Sequence, residues 1–233
     1  MNYENLQKLT GCGQCNFRCK AFDLLNEDDL SLLNKNKSCV NYKPKEVIIK
    51  QGSPSSYIII FSNGIAKTYI EGHNGRNLVL QLVKSTQLLT CVGFYLDKKH
   101  YYSIAALTNA SACLIEWKIV KQLMKNNDAF SDAINYEIAR QSISVVQRLQ
   151  SLALKNMHGR IAEALLLLSE ETFESHKFDI LLSRQELADF TALSKESVSR
   201  IMKELKEEKI IDFDGNLIEI LNYDSLRRIS ENG

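Results

Sequence analysis

The stretch from residue 181 to 221, LLSRQELADFTALSKESVSRIMKELKEEKIIDFDGNLIEIL, decides the fold of the C-terminal part of the chain. Ser183 is a good helix N-cap and Glu186 stands three residues later, so the pair predicts a capping box and a short helix over 184–190. The residues TALS end that helix, and Ser194 caps a second helix that is predicted to run to about Glu207. Two short helices joined by a tight turn indicate a helix-turn-helix.

The second predicted helix has one apolar and one polar face. The apolar residues follow the spacing i, i+3, i+4 and i+7 and are expected in the core: Val198, Ile201, Met202 and Leu205. The polar face carries the predicted DNA contacts: Lys195, Glu196, Ser199, Arg200 and Lys203. Arg200 can donate two hydrogen bonds to guanine O6 and N7, Glu196 can accept one from cytosine N4, and Ser199 can contact a neighbouring base edge. The lysines and the arginine also supply the positive charge that phosphate contacts need.

A hairpin is predicted directly after this helix. The segment IIDFDGNLIEI, residues 210–220, consists of two alternating runs joined by Asp214 and Gly215, which is a strong two-residue turn signal. In a helix-turn-helix domain this hairpin is the wing. The alternative is a small α+β domain whose polar helix face is only solvated.

Residues 130–155 predict a long helix with a narrow apolar row. The row follows spacings of 4, 3, 4 and 3, a heptad pattern, and contains Ile138, Ser142, Val145, Leu149 and Leu152. We interpret it as a dimer seam, and a helix packed on its own domain is the alternative. The segment KNMHGR, residues 155–160, predicts a hinge or helix break at Gly159.

The region from Tyr42 to about Ile115 is predicted to be mostly β-structure. Short runs rich in Ile, Val, Leu and Tyr, such as EVIIKQG, SYIIIFSNG and RNLVLQLV, alternate with Gly, Ser or Asn turn residues. Several short strands at this spacing favour a barrel or double-sheet domain.

Composition is ordinary for a globular protein, with 233 residues, 45% hydrophobic and 24% charged. The first ten residues contain no apolar run, and no uncharged apolar stretch reaches 18 residues, so we expect neither a signal peptide nor a membrane span. A cytoplasmic location follows as an expectation. The six cysteines are then expected as thiols or metal ligands rather than disulfides.

Charge is divided unevenly along the chain. Residues 1–155 contain 19 Lys and Arg against 12 Asp and Glu, whereas residues 156–233 contain 10 against 16 and are net −6. The acidic C-terminal part predicts weak non-specific DNA binding and more reliance on base contacts. An enzyme is not expected, because His73, His100, His158 and His176 are scattered without ligand or triad spacing and are interpreted as surface or loop residues.

The order of these parts resembles the cyclic-AMP receptor protein/fumarate-nitrate regulator (CRP/FNR) family over about residues 12 to 229. The segment ESVSR, residues 196–200, is similar to the E-x-x-S-R pattern of the fumarate-nitrate branch. The resemblance implies an α+β fold with a jelly-roll β-roll of the cyclic-nucleotide-binding type, a long dimerisation helix and a C-terminal winged helix-turn-helix. It implies a transcription regulator that binds double-stranded DNA as a homodimer at an inverted TTGAT-like repeat, and RNA polymerase is a further partner if it activates.

On this resemblance the chain is divided into four parts. They are a cysteine-rich arm over 1–20, a β-roll sensor over 21–128, a dimerisation helix over 129–156 and a DNA-binding domain over 157–233. Cyclic AMP is not expected as a ligand. The family pocket uses a Gly-Glu pair and an Arg-Ser pair, but here Ser103 follows Tyr102, so the nucleotide phosphate has no arginine partner.

The cysteines resemble the cluster ligands of the oxygen-sensing branch. That branch holds a [4Fe-4S] cluster with N-terminal cysteines and one distant cysteine, which implies the ligand set Cys12, Cys15, Cys19 and Cys113. Four soft thiolates suit an iron-sulfur cluster or zinc. One departure is the gap of three residues between Cys15 and Cys19, which is shorter than in the best-known members.

Several alternatives stay open at these cysteines. Cys39 or Cys91 can replace Cys113, although both are first interpreted as small buried hydrophobic residues. A zinc-stapled regulator without redox sensing is one alternative function. Another is a regulator of the same architecture that binds heme or another small ligand, with His73, His100 or a cysteine as axial ligand.

The resemblance also implies a switch in which an intact cluster favours DNA binding and oxygen or nitric oxide degrades the cluster. The predicted dimer seam carries no charge and only one polar residue, Ser142. We therefore expect the protein to dimerise without its cluster, and the cluster to alter the geometry of the dimer rather than its assembly.

Overall fold

The computed structural model describes residues 12, 15, 19–89 and 92–233. The chain divides into two compact units, one formed by residues 1–70 with 83–143 and the other by residues 71–82 with 144–233. Within the described residues, no helix is both long and apolar enough to cross a membrane.

The first unit is built on two antiparallel sheets. The strands from this part of the chain are β1 Lys37–Tyr42, β2 Val47–Ile49, β3 Tyr57–Asn63, β4 Ala66–Glu71, β5 Asn77–Val83, β6 Leu88–Leu89, β7 Ser103–Ala106 and β8 Ala110–Glu116. One sheet has the order β1-β8-β3-β6, and within this unit the other places β7 between β2 and β4. Residues 58–61 of β3 are all buried, because side chains on both faces of that strand are covered. The predicted β-roll is confirmed.

Helices close one side of this sheet pair. A 3-10 turn, Lys20–Leu24, leads into helix α1, Glu27–Lys35, which starts at Asn26 because the Asn26 side chain accepts a hydrogen bond from the Asp29 amide. Helix α2, Trp117–Asn126, follows β8 directly. Their apolar faces meet in one core with the first turns of the next helix, where the rings of Phe22 and Phe130 lie 6.0 Å apart.

The long helix α3 runs over Asp128–Leu154, and helix α4 follows over Met157–Leu167. The break between them falls one turn before the predicted position. Asn156 caps α4 by accepting hydrogen bonds from the amides of His158 and Gly159. Gly159 therefore lies inside the first turn of α4, and it is buried where a Cβ would come within 2.9 Å of the Gly233 backbone.

The second unit contains the predicted winged helix-turn-helix. After α4 its elements are a π-helical turn Leu168–Phe173, β9 Lys177–Asp179, α5 Arg184–Thr191, α6 Lys195–Glu207, β10 Ile211–Asp214, β11 Leu217–Ile220 and α7 Tyr223–Asn232. The hairpin pairs Asp214 with Leu217, so its two-residue turn is Gly215 and Asn216, one position later than predicted. Gly215 has φ 58, a conformation that favours glycine. Strand β9 was not predicted, and it extends the wing to three strands in the order β10-β11-β9.

Candidate nucleic-acid interface and cysteine site

Helix α6 presents the predicted polar face because its apolar face is fully used by the core. The four apolar residues of the pattern are each at most 1% exposed: Val198, Ile201, Met202 and Leu205. On the opposite face Lys195, Glu196, Arg200 and Lys203 are exposed and Ser199 is half-buried. Burial of one face therefore fixes the rotation of the helix and leaves these polar side chains toward solvent.

Local hydrogen bonds set the two helices and the turn between them. The Ser183 hydroxyl accepts from the Glu186 amide at 3.2 Å and the Glu186 carboxylate accepts from the Ser183 amide at 2.9 Å, so the predicted capping box is present. Ser194 caps α6 by accepting from the Ser197 amide. Between the helices Ala192 has φ 52 and takes the left-handed conformation that glycine usually supplies.

A second set of contacts holds the turn from outside. Arg160 on α4 donates from Nη1 to the carbonyl oxygens of Thr191 and Ala192 at 3.2 and 3.3 Å. The carbonyl groups at the end of α5 are thereby satisfied by a charged donor. This contact ties the turn to α4 within the unit.

Arg200 belongs to a three-residue network that sequence reasoning missed. Its Nη1 donates to Glu204 Oε1 at 2.8 Å, and Glu204 Oε2 lies 2.8 Å from His158 Nε2. The hydrogen bond with His158, followed by that with Arg200, holds the pKa of Glu204 below its ordinary value. The i, i+4 spacing of Arg200 and Glu204 is a sequence signal for such a pair, but no local pattern connects His158 to them. The network fixes one edge of the guanidinium and leaves the other donors for a ligand.

Glu196 remains an acceptor at the start of α6. Hydrogen bonds from its own backbone amide and from the Ser194 hydroxyl hold the pKa of Glu196 below its ordinary value, and Lys195 contributes in the same direction. The carboxylate therefore stays ionised at neutral pH, as a contact with a cytosine amino group requires.

Helix α3 exposes an apolar surface near its C-terminal half. Val145 and Leu149 of the predicted seam are 44% and 59% exposed, and the neighbouring Ile143 and Val146 are 58% and 62% exposed. Ile138, the first residue of the predicted seam, is half-buried and packs against the core of the first unit. The exposed apolar row therefore begins later than the sequence pattern suggests.

Cys113 lies opposite a second cysteine in the β-roll. Cys39 on β1 and Cys113 on β8 are direct Cα partners, and their Sγ atoms are 2.8 Å apart. The prediction that Cys39 is a small buried residue is wrong, since its side chain is exposed. The hydrogen bond between the two thiols lowers the pKa of Cys39 to about 6, and the same bond, with burial, raises the pKa of Cys113. Cys91 lies outside the described residues.

Cys12 is close to this pair. Its amide donates to Asn34 Oδ1 at 2.7 Å, and its Sγ accepts a hydrogen bond from Lys37 Nζ at 3.3 Å. Burial raises the pKa of Cys12, Lys37 lowers it, and Cys15 and Cys39 raise it through their charges. The ammonium group of Lys37 at the start of β1 thus acts on Cys12 and also on Cys39 and Cys113.

Cys19 is buried in the same hydrophobic cluster as Cys12. It is 4% exposed and belongs to the same buried cluster as Phe22. Burial raises the pKa of Cys19, and the side-chain charges that act on it are those of Glu137 and Arg140 on α3 and of Asp23.

The five cysteines that the structure describes have the soft sulfur donors that suit a metal centre, but they are not arranged as a complete set of ligands. Among the described residues, no three His, Cys, Asp or Glu side chains are grouped as metal ligands would be. The cysteines that act on one another electrostatically are Cys12, Cys15, Cys39 and Cys113, a set of four soft donors.

The histidines and the nucleotide-pocket region add two findings. His100 lies in a loop, as one of its two interpretations had it, but it is buried there, with only 4% of its surface exposed. Ser103 is fully buried, and its hydroxyl accepts a hydrogen bond from the Gln51 amide at 2.8 Å. That hydroxyl is used inside the β-roll, and the expectation that cyclic AMP does not bind stays a prediction.

Two known domain families match this chain. The Crp-like helix-turn-helix domain family matches residues 159–229, and the cyclic nucleotide-binding domain family matches residues 39–127. The chain belongs to the CRP/FNR family of DNA-binding transcription regulators.

Relatives of this CRP/FNR protein are distant in sequence. It is 24% identical over 183 residues to the cAMP-activated global transcriptional regulator CRP of Salmonella typhimurium, covering 77% of this chain and 87% of that protein. It is 26% identical over 197 residues to the listeriolysin regulatory protein of Listeria monocytogenes, covering 80% and 82%. The solved structure of FixK2 from Bradyrhizobium japonicum has the same fold, with a TM-score of 0.75 at 18% identity, covering 83% of this chain and 96% of that one.

Proposed function

We propose that this CRP/FNR regulator binds an inverted repeat of a TTGAT-like half-site as a homodimer, and that a thiolate-bound iron-sulfur cluster controls it. The observation that carries the DNA-binding part is the polar face of α6, where Glu196, Arg200 and Lys203 are exposed beside a fully buried apolar face. These side chains have the donor and acceptor groups that base edges in a major groove require.

Specificity in this proposal depends on Arg200 and Glu196. Arg200 is held on one edge by Glu204, so its free donors can form the fork that matches guanine O6 and N7. Glu196 accepts from cytosine, Ser199 contacts a neighbouring base, and Lys195 and Lys203 contact phosphates. Because residues 156–233 are net −6, long-range attraction to DNA is weak and base contacts supply a large share of the affinity.

Dimerisation through α3 is supported by its exposed apolar residues. Val145, Val146 and Leu149 are between 44% and 62% exposed on a helix of 27 residues. An apolar stripe of this kind on a long helix is buried when a second copy packs along it. A two-fold dimer binds two half-sites related by the same two-fold axis, which supports an inverted repeat as the proposed operator.

The sensing part of the proposal assigns the cluster to cysteines. When bound, a [4Fe-4S] cluster supplies an inorganic centre that oxygen and nitric oxide degrade. Cys12, Cys15 and Cys113 are the ligands common to the sequence pattern and to the set of neighbouring thiols, and the fourth is Cys19 or Cys39. Lys37 offsets the negative charge that these thiolates concentrate beside β1.

DNA binding is tested by fluorescence anisotropy with a duplex that carries the inverted TTGAT repeat and with a scrambled duplex of the same length. We expect preferential binding to the repeat. Equal affinity for both duplexes, with the full-length chain folded and dimeric, would contradict the proposed operator.

The cluster is tested by anaerobic purification with assays of iron and acid-labile sulfide. We expect a straw-brown protein whose iron and sulfide are lost in Cys113→Ala. Comparing Cys19→Ala with Cys39→Ala identifies the fourth ligand, because only the true ligand's replacement lowers the iron content. A colourless protein that contains zinc, or a sharp Soret band from heme, would contradict the iron-sulfur assignment and leave the DNA-binding part standing.

A further inference from the structure

Two cysteines of the β-roll lie opposite each other on neighbouring strands, in a position that suits a disulfide. Cys39 and Cys113 are 74 positions apart in the chain but occupy directly opposite places on β1 and β8. Opposite residues of an antiparallel pair have Cα atoms about 4.5–5.5 Å apart, which lies inside the range that a disulfide bridges. Neither strand has to move for the two sulfur atoms to meet.

The side chains are oriented toward each other as well. Their Sγ atoms are 2.8 Å apart, so small rotations about the two Cα–Cβ bonds bring the sulfur atoms to the disulfide bond length of about 2.05 Å. Register also explains why the contact is maintained, because Lys37 through Tyr42 pair residue by residue with Ile115 through Ala110. A slip of one residue in the pairing of β1 with β8 would place the two thiols on opposite faces of the sheet.

Oxidants can reach the pair from the side of Cys39. Strand β1 is the edge of its sheet, and the Cys39 side chain is exposed, whereas Cys113 is half-buried. Lys37 lies two positions earlier on the same face of β1, and its charge acts on both sulfur atoms. A nearby cation favours the thiolate, which is the form that attacks an oxidant.

We propose that Cys39 and Cys113 are a reversible oxidation site that forms a cross-strand disulfide when the protein meets hydrogen peroxide. The proposal does not require a cluster, because it concerns the chain with its thiols free.

The chemistry is balanced in two steps. The Cys39 sulfur attacks one peroxide oxygen, the O–O bond breaks, and hydroxide leaves and is protonated to water, so Cys39 becomes a sulfenic acid. The Cys113 sulfur then attacks the Cys39 sulfur and the S–O bond breaks. The departing hydroxide takes the Cys113 thiol proton and leaves as a second water. Two electrons pass from the two sulfur atoms to the peroxide, and a dithiol reductant reverses the change.

The test uses the full-length chain, prepared iron-free, reduced, freed of reductant and exposed to increasing hydrogen peroxide. Remaining thiols are then blocked with N-ethylmaleimide, and non-reducing digestion with mass spectrometry identifies joined peptides. We expect the loss of two of the six thiols, and one joined pair of peptides that contains Cys39 and Cys113. Treatment with a dithiol reductant restores both thiols.

Three serine variants make the result specific. In Cys113→Ser the oxidised Cys39 has no partner, so a sulfenic-acid probe is expected to label Cys39. Cys39→Ser abolishes the joined peptide, and Cys19→Ser, the matched control from the buried core, leaves it unchanged. A joined peptide between Cys39 and Cys12, or free alkylation of Cys39 and Cys113 after other thiols are oxidised, overturns the proposal. Circular dichroism verifies that each variant is folded.

Iron content separates this proposal from the proposed cluster. If the anaerobic protein contains no iron but the peroxide-treated chain forms the joined peptide, the cluster proposal fails and the dithiol stands. If the joined peptide is absent from the iron-free chain, the dithiol fails whatever the iron assay gives.

Discussion

Replacing Arg200 by lysine separates base recognition from charge at the proposed interface. Lysine keeps the positive charge but loses the planar fork that donates to guanine O6 and N7. One bidentate contact contributes about 1–3 kcal/mol of discrimination, so two in a symmetric dimer contribute about 2–6 kcal/mol, or about 30-fold to about 10⁴-fold in affinity for the operator.

The structure indicates that this loss is confined to binding. Arg200 is 53% exposed on its side chain, and its partner Glu204 is 37% exposed, so their ion pair contributes little to folding. The thermal unfolding midpoint of Arg200→Lys is therefore expected to stay close to that of the natural chain. The salt dependence of DNA binding is also expected to stay the same, since the number of charges that face phosphates is unchanged.

Fluorescence anisotropy over a series of salt concentrations measures both quantities, with the TTGAT repeat and with a duplex whose guanines are replaced. Lys203→Ala is the matched control, because a lysine that binds phosphate contributes equally on every duplex. Its removal is expected to weaken binding to both duplexes alike and to reduce the salt slope by about 1 for each phosphate that is no longer neutralised. If Arg200→Lys weakens binding to both duplexes equally, Arg200 contacts phosphate and the assignment of base recognition is refuted.

Three further outcomes follow from other parts of the structure. Leu149→Glu is expected to yield monomers in light scattering, because two Leu149 side chains, each 59% exposed before association, contribute about 2–4 kcal/mol of apolar burial in the dimer. Leu154→Glu, which changes an equally apolar residue that is 74% exposed off the seam, is expected to remain dimeric. Burial lowers the pKa of His100, so as the pH falls the unfolded chain binds the proton before the folded chain does. The free energy of unfolding is therefore expected to be constant above about pH 6.5 and to decrease below it. His100→Gln should flatten this decrease in thermal unfolding between about pH 7 and 5, and an unchanged slope would contradict the assignment. Ser183→Ala removes the cap of α5 and is expected to lower the free energy of unfolding by about 1 kcal/mol in denaturant titration. Glu186→Gln keeps the capping box and should lower the free energy of unfolding less. Equal losses in the two variants would contradict the role of the serine.

Local patterns predicted those parts of the molecule that local interactions determine. The caps at Ser183 and Ser194 and the apolar spacing of α6 depend on residues within two helical turns, and the structure has them as predicted. The hairpin turn was displaced by one residue, because alternation continues through Asp214, which pairs with Leu217. The helix break came earlier than Gly159, because the Asn156 cap outweighed the glycine signal.

Contacts between distant segments were beyond the sequence pattern. The pairing of Cys39 with Cys113 depends on the register of two strands 74 positions apart, and a single sequence does not specify it. The contact of His158 with Glu204 likewise depends on how α4 packs on α6. Ile138 matched the heptad spacing but packs into its own unit, since spacing alone does not distinguish an internal partner from a second chain.

The left-handed alanine in the helix-turn-helix has a consequence for engineering new operator preferences. A non-glycine residue in this conformation is disfavoured by about 1–2 kcal/mol, and the hydrogen bonds from Arg160 help to maintain it at Ala192. Ala192→Gly relieves that strain, although the greater freedom of glycine in the unfolded chain offsets about half of the gain. Position 192 is not among the five proposed DNA contacts, so the substitution is expected to leave DNA recognition unchanged. The gain in the free energy of unfolding can then offset destabilising substitutions on the polar face of α6.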